Sequence, residues 1–203
     1  MTDETLTAHS PFAGLSFSSA PYRGVRVAPR DGLAIATLLV RKGGLAALPQ
    51  RLREHFGIEL PQGPRRAAAG AVAFAGIGPH AWLATSEQHG HGFARLLKEA
   101  VGDAASVADQ SSGYAVLRMT GPKLREALAK ILPLDLHARS FAPGDVASTI
   151  ASHVGATLWR LADAADGSPV FEIAVFRSLA ASFWHTLTHS AAEFGFVTEG
   201  RIS

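Results

Sequence analysis

The stretch Leu132 to Asp145, LPLDLHARSFAPGD, sets a carboxylate, an imidazole and a guanidinium at alternating positions: Asp135, His137 and Arg139, with Phe141 two residues on. In an extended segment, alternation sends Asp135, His137 and Arg139 to one side and Leu134, Leu136 and Ala138 to the other. Such a row can grip a carboxylate or a flavin phosphate through Arg139. It can equally hold its own loop, with Asp135 accepting backbone N–H groups and Arg139 pairing with an acid or capping a helix C-terminus. The residues alone favour the second use, loop anchoring or contact with a partner.

Other groups that could do chemistry are sparse. His185 and His189 have the i, i+4 spacing by which two imidazoles reach one metal, but Thr186, Leu187 and Thr188 lie between them and no H-E-x-x-H motif forms. On a helical wheel both face away from Leu179, Phe183 and Leu187, which predicts a polar face open to water or to another subunit. His89 and His91, in HGHG, sit where a turn enters a helix and have no nearby carboxylate, so they read as turn residues. No G-x-G-x-x-G, G-x-x-x-x-G-K-[ST] or G-x-S-x-G pattern is present. Asp145, Asp163 and Asp166 fall in turns, where Asp is favoured for bonding to the backbone. The residues therefore assign no catalytic, cofactor-binding or metal-binding side chain.

Composition narrows the class further. The 203 residues are 47% hydrophobic and 18% charged, enough to build a core, and 19 Lys and Arg against 17 Asp and Glu leave no basic stripe for nucleic acid. Cysteine is absent, which excludes disulfides and thiolate chemistry and suits a reducing cytoplasm. The acidic, polar start does not read as a secretory signal, and no apolar run approaches the ~18 residues of a membrane span. A soluble cytoplasmic protein is expected.

The elements that would position these residues follow from periodicity. Residues 1–30, with Phe12, Leu15, Phe17 and Tyr22 spaced among Ser, Thr and Pro, read as an extended arm suited to docking on a partner. Within 31–110, GLAIATLLV predicts a strand, and Leu45, Leu48, Leu52 and Phe56 a helix ending at Gly57 with Pro49 in its first turn. AVAFAGI and HAWLATS form a hairpin about Gly78-Pro79, and a helix over Phe93 to Val101 precedes the strand AASVADQ. Within 111–203 the order recurs. SGYAVLRMT is a strand, and GPKLREALAKIL a helix with Pro122 at its first position and an outward Glu126–Lys130 pair. A meander of STIASHV, ATLWRLA and VFEIAVF follows, then a helix capped by Ser178 and a short strand FVTEG. Strand, helix, strands, helix, strand, twice over, predicts an α+β fold of two tandem ferredoxin-like βαββαβ units with helices on one face of each antiparallel sheet.

The chain also resembles a known family, the gamma subunit of heterotetrameric sarcosine oxidase. The resemblance is carried by DQSSGYAVLRMTGPKLREALAKILPLDLHARSFAPGD (109–145), LWR (158–160) and FEIAVFRSLAASFWHTL (171–187), with SPFAG (10–14) and GPHAWL (78–83) in support. The chain departs from it at His80-Ala81, where the family often has two acidic residues before Trp82, and at Ala138, where Pro is common. Through this family the sequence is distantly similar to the folate-binding aminomethyltransferases, including the glycine cleavage T protein, whose folate domain has a comparable duplicated core.

The resemblance implies a structural, noncatalytic gamma subunit without a cofactor of its own. Its partners would be alpha, beta and delta subunits, chiefly alpha, with FAD, FMN, NAD, tetrahydrofolate and zinc held in those other subunits. The implied complex demethylates sarcosine oxidatively to glycine, with hydrogen peroxide and formaldehyde or 5,10-methylenetetrahydrofolate. The alternatives are an independent tetrahydrofolate-binding, aminomethyltransferase-like protein and a ferredoxin-like regulatory module.

Overall fold

The computed structural model describes residues 9–15 and 23–199. The chain runs through β1 (Val25–Pro29), β2 (Ala34–Val40), α1 (Leu48–Phe56), β3 (Arg66–Ala69), β4 (Val72–Gly78), β5 (Ala81–Ser86), α2 (Phe93–Val101) and β6 (Ala105–Asp109). It continues through β7 (Tyr114–Thr120), α3 (Leu124–Ala129), β8 (Val146–Ala151), β9 (Val154–Arg160), β10 (Val170–Phe176), α4 (Ala180–Ala191) and β11 (Phe196–Thr198). The fold is α+β, with a five-stranded sheet in the order β3-β4-β5-β2-β6 and a six-stranded sheet in the order β11-β1-β7-β10-β9-β8.

Period-2 alternation gives each sheet two buried faces. In the five-stranded sheet Ala36, Leu38, Phe74 and Trp82 turn to α1 and α2, where Leu48, Leu52, Phe93, Leu97 and Val101 meet them. In the six-stranded sheet Leu117, Met119, Leu158, Phe171 and Ile173 turn to α3 and α4. The intervening positions, Ile35, Ala75 and Leu83 from one sheet and Val116, Trp159 and Ala174 from the other, form a third core between the sheets. The helices thus lie outside and the sheets pack face to face.

In segment 1–30, expected to be an extended arm, the described residues 9–15 and 23–30 contribute to the fold. Residues 25–29 form a strand interposed between β7 and β11, antiparallel to the first and parallel to the second. Phe12 is fully buried in the helix-side core of the six-stranded sheet, its ring 5.6 Å from that of Trp184. Its hydrophobicity and that of Leu15, partly buried against the same cluster, serve this chain's own core, while Phe17 and Tyr22 lie outside the described residues. Two glycines admit the strand. Gly121 (φ 134°) and Gly24 cross so closely that a Cβ on Gly121 would strike the Gly24 carbonyl.

Smaller corrections concern element ends and partners. The third helix begins at Leu124, after Pro122, and the expected Glu126–Lys130 pair is replaced by Lys123–Glu126 at 2.9 Å and by Lys130 with Glu193. Ser178 lies in a 3-10 turn (Arg177–Leu179) ahead of α4 and does not cap it. The meander turns at Ser152 (φ 55°), so its first strand is Val146–Ala151 rather than a run through Val154. The short edge strand β3, rich in Ala and too weakly patterned to announce itself, was not expected. No helix among the described residues is long and apolar enough to cross a membrane.

Candidate functional site

The crossover from α3 to β8 carries the residues singled out in the sequence. Asp135, His137 and Arg139 are all exposed, and Leu136 is buried. The expected alternation breaks at His137, because the N–H groups of Ser140 and Phe141 both bond its carbonyl (2.9 Å each) and residues 138–140 form a turn. Ala138 is consequently exposed, on the outside of that turn.

Asp135 Oδ1 accepts the backbone N–H of His137 at 2.9 Å. Its bond with the Ser140 side chain, followed by that N–H, holds its carboxyl below the usual carboxylate range. His137 Nδ1 accepts the N–H of Arg139 at 3.3 Å, which puts any proton of the neutral ring on Nε2. The guanidinium of Arg139 has no hydrogen-bond or ion-pair partner among the described residues.

The inner side of the crossover is tied to the core. Phe141 is buried and stacks on Phe171 with ring centroids 6.0 Å apart, and its carbonyl accepts from Arg160 Nη1 at 2.7 Å. Arg125 donates to the Leu136 carbonyl at 2.9 Å while lying over Phe171 at 5.9 Å, a cation-π contact. Asp145 closes the stretch by accepting the Ala142 N–H at 2.6 Å and pairing with Arg65, the residue before β3. Asp135 and His137 thus bond main chain within the loop, Phe141 packs on the core, and Arg139 is exposed.

The two histidine pairs are dispersed. His185 and His189 are exposed on α4, ring centroids 4.2 Å apart, with His189 Nδ1 at 3.1 Å from the His185 carbonyl. His89 Nδ1 lies 2.6 Å from Ser86 Oγ and its ring stacks on Phe93, while His91 is exposed. Among the described residues no group of three or more His, Asp or Glu side chains is placed to hold a metal.

Two features were missed in the sequence. The first is an open groove of about 900 Å³ bounded by α1, the loop after it and the β4–β5 turn, with Leu45, Pro49, Pro61, Ile77 and Trp82 in its wall and Ser148 of β8 at one side. Gly76 shapes it: a Cβ there would strike the Gly63 carbonyl, and its N–H instead bonds the Arg65 carbonyl at 2.9 Å beside the bulge in β4. Trp82 is fixed by its indole N–H to the Pro61 carbonyl at 2.9 Å. Arg53 and Glu59 pair on the rim at 2.6 Å. Leu45 stays 47% exposed there, an apolar side chain that the fold leaves uncovered.

The second is a charged cluster at the cleft between the sheets. Glu172, with a side chain only 4% exposed, is bonded by Arg118 and Trp159 and lies 3.0 Å from Arg30 Nε. Arg30 also pairs with Glu87, and Arg118 reaches Glu87 at 3.7 Å. The signal was present in the sequence. YAVLRMT and VFEIAVF each carry one charge inside an otherwise apolar strand, and opposite charges there pair across the ladder.

Comparisons with known proteins extend this picture. The model of the sarcosine oxidase, gamma subunit family matches residues 40–193. The sarcosine oxidase subunit gamma of an Arthrobacter species is 35% identical over 120 residues, 58% of this chain and 57% of that one, so the match spans little more than half of that relative. The sarcosine oxidase subunit gamma of Corynebacterium strain U-96 is 29% identical over 170 residues, covering 79% of this chain and 80% of that one.

Among solved structures, a chain of the heterotetrameric sarcosine oxidase from Corynebacterium U-96, in complex with pyrrole 2-carboxylate, has a TM-score of 0.78 at 24% identity over 92% of this chain and 96% of its own. The glycine cleavage system aminomethyltransferase T from Bartonella henselae has a TM-score of 0.63 at 12% identity over 87% of this chain and 48% of its own. These two likenesses show the fold.

Proposed function

The chain belongs to the sarcosine oxidase gamma subunit family, and from that premise we propose that it is a noncatalytic, structural subunit of a heterotetrameric sarcosine oxidase in the cytoplasm. The observation that carries this reading is the self-fastened crossover. Asp135 and His137 are engaged with main chain, Phe141 with the core, and only the Arg139 side chain is turned outward without a described partner. A loop built so is a rigid presenter of one guanidinium, suited to a carboxylate or carbonyl on a neighbouring subunit.

In this proposal the alpha subunit is the chief partner, with beta and delta also in the complex. FAD, FMN, NAD, tetrahydrofolate and zinc reside in those subunits. The complex oxidises sarcosine to glycine, forming hydrogen peroxide and formaldehyde or 5,10-methylenetetrahydrofolate. We also read the two sheets as tandem ferredoxin-like units. The run β4-β5-β2-β6 has the strand order of such a unit, and β11, β7, β10 and β9 repeat it with β1 spliced between β11 and β7.

Co-expression of the other subunits with and without this chain tests the function. Loss of assembly or stability in its absence, with flavin spectra unchanged in whatever complex survives, is expected. Assembly, stability and turnover that are indifferent to the chain would remove the proposal. The fold likeness to the aminomethyltransferase keeps a second reading in play, an independent tetrahydrofolate-binding protein. Calorimetry of the isolated chain separates the two: micromolar binding of tetrahydrofolate favours the second reading, and no heat favours the first.

A further inference from the structure

We propose that the cleft end beside Arg66 is a binding site for a small carboxylate anion of about the size of acetate, with Arg66 as its anchor. Five charged side chains meet there: Arg30, Arg66 and Arg118 against Glu87 and Glu172, an excess of one positive charge. Both carboxylates are already engaged. Glu172 receives Arg118 at 2.8 Å and Trp159 at 2.8 Å and sits 3.0 Å from Arg30, while Glu87 pairs with Arg30.

Arg66 is half-buried on β3, and its guanidinium has no hydrogen-bond or ion-pair partner among the described residues. Burial pulls its pKa down, with Arg118 and Arg30 adding to the effect against the attraction of Glu172 and Glu87. A guanidinium nevertheless stays protonated in proteins, so the site carries a cation whose five donors are taken by no described residue.

Beside it lies a cavity of about 80 Å³, lined by Arg30, Arg66, Val72, Thr85, Glu87 and Glu172. A water occupies about 30 Å³ of liquid, so the cavity has room for two or three waters or one small anion. Nucleotides and folates are far too large. A carboxylate matches the fork of Arg66 with two parallel bonds, and its methyl group would rest on Val72 and on Leu33, which also lines the space. Thr85, buried on β5, supplies a hydroxyl that can donate to the anion. The inference uses only this chain's residues and does not depend on the complex it joins.

Thermal unfolding of the full chain at fixed pH and ionic strength, in sodium acetate against sodium gluconate, tests the site. A ligand that binds the folded state raises the unfolding midpoint with its concentration. Acetate is expected to raise the midpoint saturably at millimolar concentrations where bulky gluconate does not, and Arg66→Gln to weaken that response at least tenfold. Equal midpoints in the two salts, an acetate response unchanged in R66Q, or a response to chloride without one to acetate would each overturn the proposal. Should R66Q not fold, saturation-transfer NMR between acetate and the unaltered chain decides the matter: transfer that chloride competes away supports the site, and absence of transfer removes it.

Discussion

Glu172 divides its two oxygens between neighbouring strands: Oε1 accepts the Nε–H of Arg118 on β7 and Oε2 the indole N–H of Trp159 on β9, both at 2.8 Å. The cross-strand register makes this inevitable, since Glu172 pairs with Arg118 on one side and with Trp159 on the other. Removing a partner from a buried ion pair leaves the opposite charge desolvated and costs ~3–5 kcal/mol. Arg30 and Arg118 keep some access to water, 22% and 38% of their side-chain surface, so Glu172→Gln is expected toward the low end of that range. Trp159→Phe removes one bond to a charged acceptor and should cost roughly 1.5–3 kcal/mol. Urea denaturation of the two variants checks both the order and the size.

Phe12 offers a test of where the N-terminal segment belongs. Its side chain is fully buried against Trp184, so Phe12→Ala should destabilise the isolated chain by ~3–5 kcal/mol through lost transfer energy and a residual cavity. Scanning calorimetry with no other subunit present is the measurement. An unchanged midpoint would mean that Phe12 packs only when a partner is there.

Arg139 and Asp135 separate fastening from presentation. Arg139→Ala should leave the unfolding midpoint of the isolated chain unchanged and weaken its association with the other subunits, because the guanidinium has no partner among the described residues. Asp135→Ala should do the reverse to a first approximation, lowering the midpoint by freeing the His137 N–H and Ser140. Analytical ultracentrifugation paired with thermal melts reads both.

A fourth expectation concerns acid. The Ser168 backbone N–H, then the Arg26 guanidinium and the Ser168 side chain, hold the Asp166 carboxyl at about 2, down from 3.8. A carboxylate whose pKa is lower folded than unfolded contributes stability above the unfolded value and loses it as pH falls through the folded one. The gap in stability between wild type and Asp166→Asn should therefore be constant above about pH 5, narrow as pH falls through 3.8, and close below about pH 2. Guanidinium midpoints taken across that interval, at constant ionic strength, provide the comparison.

Much of the fold was legible because long elements announce themselves by period. AIATLLV and FARLLKEAV became β2 and α2, and the hairpin about Gly78-Pro79 formed as read. What escaped has physical causes. VRVAP is only five residues long and sits among Ser and Pro, and its strand character comes from the two neighbours it joins, both distant in sequence. Ser178 is a good cap by type, but the chain leaves β10 through a 3-10 turn that carries it past the helix start. In the crossover, the types of Asp135, His137 and Arg139 were informative and their common direction was not, because the turn at residues 138–140 is fixed by two bonds to one carbonyl. The groove near Trp82 is assembled from elements far apart in the chain, which no local pattern reports, whereas the cluster around Glu172 left a local trace, one charge in each of two apolar strands, without the pairing that joins them.

The strand that residues 25–29 insert between β7 and β11 joins an early and a late segment of the sequence, so the six-stranded sheet is completed only when both are present. During synthesis from the N-terminus, β1 emerges early but can be paired on both sides only after β11 leaves the ribosome. Until then its apolar Val25 and Val27, both fully buried in the finished fold, stay available to other chains. A chain cut before β11 should thus be prone to swapping this strand.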